Sequence, residues 1–106
     1  MQWVPGLRRF LLTASHSEND EPGKVGVFES ANLWGPWRTV HYVDGWLGLG
    51  GRGKYYSIDF PLKWQSADGR ALWATFSCHD AGERGACGRY HDRLNLMRVT
   101  LGVAGR

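Results

Sequence analysis

The chain has 106 residues, a net charge of +3, and 42% hydrophobic and 13% aromatic residues, the size of one domain with a modest core. No apolar run approaches the ~20 residues of a membrane-spanning helix, so no membrane partner is expected. Its thirteen basic and ten acidic residues are dispersed, without the basic stripe of a nucleic-acid binder, so no nucleic acid is expected either.

Trp3-Val4 reads as a strand end and Gly6-Leu7 as a turn. Residues 9–15 read as a strand in which Phe10, Leu12 and Ala14 alternate with Leu11, Thr13 and Ser15. Both faces are fairly apolar, so cover on both sides is expected. Residues 17–24 have loop composition, and 25–30 form the next strand, with Val25 and Val27 opposite Phe28. Gly35-Pro36 fixes a turn before a strand over 37–43. Residues 44–54 hold five Gly and read as a flexible connector. They lack the Gly-Lys-Ser/Thr ending of a phosphate loop. The β pattern resumes over 55–64, where Pro61 marks a bulge, strand end or edge. Asp68-Gly69 is a hairpin turn, since glycine tolerates the positive φ required there. A strand over 72–78, a long loop over 79–91 and a strand over 94–103 complete the chain. Apolar residues nowhere sustain helical spacing, so little helix is expected.

Part of the chain returns. Trp3, Gly6, Thr13 and His16 recur as Trp64, Gly69, Thr75 and His79, 61 to 63 positions later. The expected fold is therefore all-β, with two propeller-like antiparallel blades of four and three strands. The expected single domain spans 1–106, with repeats at about 1–44 and 55–103 joined by the Gly-rich loop. Two such blades leave apolar faces to cover, which points to a homo-oligomer; a small β-sandwich is the alternative.

Cys78 and Cys87 are nine positions apart, and a disulfide between them is geometrically open. The N-terminus lacks the basic-then-apolar pattern of a secretory signal, which points to the cytoplasm, or to export if the chain belongs to a longer exported protein. A reducing compartment favours two free thiols.

Three segments carry a family resemblance. Val27-Phe28-Glu29-Ser30-Ala31-Asn32-Leu33-Trp34-Gly35-Pro36-Trp37-Arg38-Thr39-Val40 resembles the third-to-fourth strand passage of glycosidase-type five-bladed β-propellers. Phe60 to Trp64, with Ser66 to Arg70 and Leu72 to Ser77, resembles the opening of the next blade, and Leu94 to Leu101 the strand that follows. The likeness covers most of residues 9–101, about two blades from the C-terminal part of such a propeller. Ser66, Asp68 and Trp73 also keep the register of the Asp-box of sialidase propellers, with Gly69 one position early and Leu72 in place of Thr. The Asp side chain is expected to bond the turn backbone.

The resemblance implies a scaffold that handles glycans. The expected function is a non-catalytic binding or scaffolding module for a carbohydrate or small polar ligand. The alternatives are a glycosidase-like hydrolase active only as an oligomer and an inactive propeller fragment. Hydrolysis needs two carboxyl groups across one bond. Asp59, in an otherwise apolar strand, is the weak catalytic candidate, and Glu29 and Asp44 show no spacing that pairs with it. Trp34 and Trp46 lie in loops and are candidate ligand-binding residues; strand positions assign Trp3, Trp64 and Trp73 to core packing. His16 and His79 occupy matching repeat positions and are further candidates, with His91 and Asp92 as residues that would converge with them on a metal or an anion. A strand-end histidine is more commonly a surface hydrogen-bonding group, so no metal and no cofactor are expected.

Overall fold

The computed structural model describes residues 1–18, 21–46, 53–80 and 84–102, with the side chains of 16–18, 21 and 22 outside that description. Seven strands form: β1 (Gln2–Val4), β2 (Arg9–Glu18), β3 (Glu21–Ser30), β4 (Arg38–Val43), β5 (Gly53–Asp59), β6 (Ala71–Asp80) and β7 (Asn95–Thr100). They pair in sequence order into two open antiparallel sheets, β1-β2-β3-β4 and β5-β6-β7. This is the expected all-β fold with its division into four and three strands. Among the described residues, helical structure is limited to 3-10 turns at Leu62–Trp64 and Gly88–Tyr90 and a 3-10 residue at Trp46, and no helix is long and apolar enough to cross a membrane.

Residues 17, 18 and 21–24 lie in strands and not in the loop their composition suggests. β2 continues to Glu18 and β3 begins at Glu21, because the paired backbone of a hairpin carries polar side chains readily. Around Pro61 a bulge and a strand end both occur. The β5–β6 register shifts between Tyr56 and Asp59, Ser57 takes φ +52, and Pro61 caps the first 3-10 turn.

Between them the sheets enclose two buried clusters, each drawing on both sheets and both flanked by Met97, built from strand alternation. β6 buries Leu72, Ala74, Phe76 and Cys78; β5 and the residue after it bury Tyr55, Ile58 and Phe60; the first sheet adds Val4, Leu11, Val25 and Val27. Fully burying a side chain of this size is worth about 1.5–3 kcal/mol. The sheets are also stitched by polar groups. The hydroxyls of Thr13 and Ser15 on β2 donate to the carbonyls of Ile58 and Tyr55 on β5.

Two turns meet where the sheets join. Asp68 Oδ1 accepts the Ser66 hydroxyl at 2.6 Å and the Arg70 N–H at 3.0 Å, and the Ser66 hydroxyl accepts the Ala71 N–H at 2.9 Å. The Asp68 side chain thus bonds the turn backbone as expected, and these bonds hold its carboxyl below the usual carboxylate range. Gly69 takes φ +70. The turn presses on Gly6 so closely that a Cβ there would lie 2.3 Å from the Asp68 carbonyl carbon.

One expectation fails here. Cys78 and Cys87 are joined by a disulfide, with Cα atoms 5.9 Å apart, and are not free thiols. Both are fully buried, so the bridge belongs to the core. Trp46 also joins the core. It is 7% exposed and packs edge-on against Tyr55 and Phe76, with ring centres 6.4 and 6.5 Å apart. Its carbonyl accepts the Tyr55 hydroxyl at 2.8 Å. Burial, helped by Tyr90, pushes the Tyr55 phenol up to about 12. The Gly-rich flank at 47–52 lies outside the described residues.

Candidate binding site

The alternation that sends Leu72, Ala74, Phe76 and Cys78 into the core sends Trp73, Thr75, Ser77 and His79 to the opposite, outer face of β6. Cross-strand partners share that face: Arg98 opposite Trp73, Leu96 opposite Thr75, Tyr56 opposite Ser77 and Lys54 opposite His79. The outer face of the second sheet is thus a strip with an aromatic end near Trp73 and an imidazole end near His79. Six residues separate them, roughly 20 Å at 3.3 Å per residue.

At the aromatic end, Trp64, Gln65, Ser66, Ala71, Trp73 and Arg98 line a cleft of about 460 Å³. Trp64 and Trp73 are 38% and 42% exposed, so neither fulfils the core-packing role that strand position implies. Trp64 sits on the 3-10 turn after Pro61, with the Lys63 ammonium 4.9 Å from its ring centre. Trp3 is likewise on the outside, 38% exposed and packed on Phe10 at 4.8 Å. The Gln65 side-chain N–H donates to the Phe60 carbonyl at 3.0 Å, which fixes the amide orientation. Gln65 Oε1 is then buried with no hydrogen-bond partner among the described residues. A buried amide oxygen left without a donor is costly.

At the imidazole end, the chain leaves β6 and is brought back to it. Asp80 accepts the Gly85 N–H at 2.7 Å and the Cys87 N–H at 2.8 Å. These bonds, with lesser help from His91 and His79, hold the Asp80 carboxyl below its ordinary value. The Cys78–Cys87 bridge closes the loop, the 3-10 turn at Gly88–Tyr90 reverses it, and the Asp92 N–H donates to the Cys78 carbonyl at 2.9 Å. Asp92 takes φ +46, uncommon for a side chain other than glycine. His79 Nδ1 lies 3.7 Å from Asp92 Oδ1, and His91 Nε2 lies 3.3 Å from Asp92 Oδ2. The two imidazole centres are 5.6 Å apart. On its other side, His91 Nδ1 accepts the Asp80 N–H at 3.4 Å and lies 3.5 Å from Asp80 Oδ1.

The structure thus gathers His79, His91 and Asp92. The His16 backbone pairs with Lys24 in the first sheet, and its side chain lies outside the described residues. Trp34 is 84% exposed in the β3–β4 connection. Asp59 is exposed at the end of β5, where its carbonyl accepts the Thr75 hydroxyl at 3.5 Å. Glu29 is engaged by Arg38 across the β3–β4 pair, with Arg38 Nε 3.1 Å from Oε1. Cys78 is buried while His79 beside it is exposed, as neighbours along a strand must be.

Sequence reasoning missed Trp64, Trp73, Gln65 and Arg98. A signal was present for Trp73: it alternates with Thr75, Ser77 and His79, a polar set, against the apolar set Leu72, Ala74, Phe76 and Cys78. A second cleft, of about 550 Å³, opens between β4 and β7 and is lined by Val40, His41, Val43, Trp46, Val99 and Leu101 among others. The indole Nε1 of Trp46 in its wall is buried without a hydrogen-bond partner among the described residues. No family model, curated protein or solved structure matches the chain, so the chemistry of these surfaces carries the functional reading.

Proposed function

We propose that the chain is a non-catalytic binding module whose ligand, a carbohydrate or a similarly polar ring compound, sits in the cleft between Trp64 and Trp73. The observation that carries this reading is the pair of half-exposed indoles around a concave site also lined by Gln65, Ser66 and Arg98. Ligand sites pair apolar lining with a few fixed polar groups, and this cleft adds Arg98 as a donor. Aromatic faces cover the C–H side of a sugar ring, while a guanidinium bonds its hydroxyls. The likeness of residues 60–77 to glycan-handling propellers points the same way.

The test is a glycan array followed by calorimetry on the best hit. The expected result is binding that Trp73→Ala and Trp64→Ala each weaken at least tenfold with the melting temperature little changed, because both rings are partly solvated. Binding untouched in both variants, or no glycan bound at millimolar concentration, overturns the reading.

The propeller-like assembly is part of the same proposal. Two sequential meanders support it, as does the position of β4 and β7, each the last strand of its sheet, beside the apolar cleft. A second copy covering that cleft would pair two edges that are otherwise liabilities. Light scattering is expected to give a discrete oligomer; a monomer at micromolar concentration overturns this part.

A further inference from the structure

We propose that His79, His91 and Asp92 form a binding site for a divalent transition-metal cation of the zinc type. The site lies at the opposite end of β6 from the indole cleft and does not depend on that cleft binding a sugar. Two neutral imidazoles and a carboxylate are the ligand set of borderline cations; harder ions such as Ca²⁺ favour all-oxygen sites. The donor atoms of the three residues all lie within 4.8 Å of one another. With metal–ligand distances of about 2.0–2.1 Å, tetrahedral donors stand about 3.4 Å apart. His91 Nε2 stands 3.3 Å from Asp92 Oδ2 and His79 Nδ1 3.7 Å from Asp92 Oδ1, so each imidazole is near that spacing from one oxygen of the carboxylate, which would bind through both. The imidazole–imidazole separation closes by rotation of His79, whose side chain is 55% exposed and stacks loosely beside Tyr56.

The surroundings prepare the site as well as its ligands do. Metal-binding histidines are oriented by a carboxylate or carbonyl on their second nitrogen. His91 has Asp80 Oδ1 3.5 Å from Nδ1, on the far side from Asp92. A cation on Nε2 requires the tautomer with hydrogen on Nδ1, which exchanges the bond accepted from the Asp80 N–H for one donated to Asp80 Oδ1. Asp80 is itself pinned by the Gly85 and Cys87 N–H groups, and the buried disulfide ties the His91 segment to β6. Cys87, though close to Asp80 and His91, is committed to the disulfide and supplies no thiolate. Three protein ligands leave the fourth position to water or to a ligand atom, the open arrangement of a zinc site that does more than hold a fold together. Lys54, opposite His79 on the same face, is the cation that opposes metal binding.

The full chain, stripped with chelator and shown by thiol titration to hold its disulfide, is titrated with Zn²⁺ in a calorimeter. One equivalent is expected to bind, with Ca²⁺ failing to compete. Zn²⁺ is expected to shift the imidazole resonances of His79 and His91 and to leave those of His41 in place. His79→Ala and His91→Ala each weaken binding at least tenfold, and His41→Ala does not. Asp80→Asn, which keeps an acceptor for one of the two loop N–H groups, lowers affinity by about 10–100-fold and changes the His91 tautomer seen in its imidazole nitrogen shifts. No binding at millimolar Zn²⁺, binding that survives the two alanine substitutions together, or resonance shifts that spare His79 and His91 in the unsubstituted chain would each overturn the proposal. The resonance measurement needs no variant, so misfolding of a variant cannot mask the result.

Discussion

The two sheets contribute unequally. The second sends the large rings of Tyr55, Phe60 and Phe76 and the disulfide into the core, and turns Trp73, Arg98 and His79 outward. The first buries four aliphatic side chains, Val4, Leu11, Val25 and Val27, and acts mainly as a lid. A sheet that must hold candidate ligand groups in fixed positions is also the one with the heavier interior. Rigidity at a binding face comes from packing beneath it. The matching hairpins make the same point. In the first sheet β2 turns back into β3 within two residues. In the second, the chain between β6 and β7 makes a 14-residue excursion secured by a covalent bond.

The largest effect that can break this comparison is in the core. Phe76→Ala should cost about 4 kcal/mol in urea denaturation and Val27→Ala about 2 kcal/mol, since the ring leaves the larger cavity. Equal costs would remove the claim that the second sheet dominates. Next is the bridge: replacing both Cys78 and Cys87 by Ala should cost about 3 kcal/mol, the value for closing a loop of roughly ten residues. That variant should also lose the clustering of His79, His91 and Asp92, visible as loss of contacts between the two imidazoles by NMR.

Where the lid is fastened to the second sheet, Gly6→Ala should cost about 2 kcal/mol, the range for overpacking, because its Cβ meets turn backbone that has nowhere to go. A melting temperature unchanged in this variant would show the two turns to be independent.

The smallest effect expected is with pH. Asp68 has a folded pKa below its unfolded value, so its stabilisation is present above the ordinary carboxylate range and is lost as pH falls through the lowered value. Asp68→Ala should flatten the acid side of the stability profile over that window. A profile identical to that of the unsubstituted chain would show that the Ser66 and Arg70 hydrogen bonds contribute nothing.

What could be read in advance divides along physical lines. Strands, turns and their grouping into four and three are local, and alternation with Gly and Pro punctuation reports them. The Asp68-Gly69 turn was legible because its hydrogen bonds involve neighbours along the chain. Trp46 was not, since its burial depends on Tyr55 and Phe76 arriving from the other side of a Gly-rich segment. The disulfide was set aside on an argument about compartment, although the spacing allowed it. In the sequence, the meeting of His79 with His91 and Asp92 rests on repeat position and residue type. The grounds for it are the Cys78–Cys87 bond and the Asp80 hydrogen bonds, which only coordinates reveal.

The register of β6 has an evolutionary consequence. Trp73 faces Arg98, Ala74 faces Met97, and every step along the strand swaps inside for outside. Loss or gain of one residue inside β6, between Ala74 and Phe76, would put Leu72 and Phe76 on opposite faces and drive either Trp73 or His79 inward. Length changes of odd number are therefore forbidden here even where each side chain tolerates replacement. Descendants of this chain can vary the binding strip by exchange of side chains, and only the loops beyond the strand ends are free to grow or shrink.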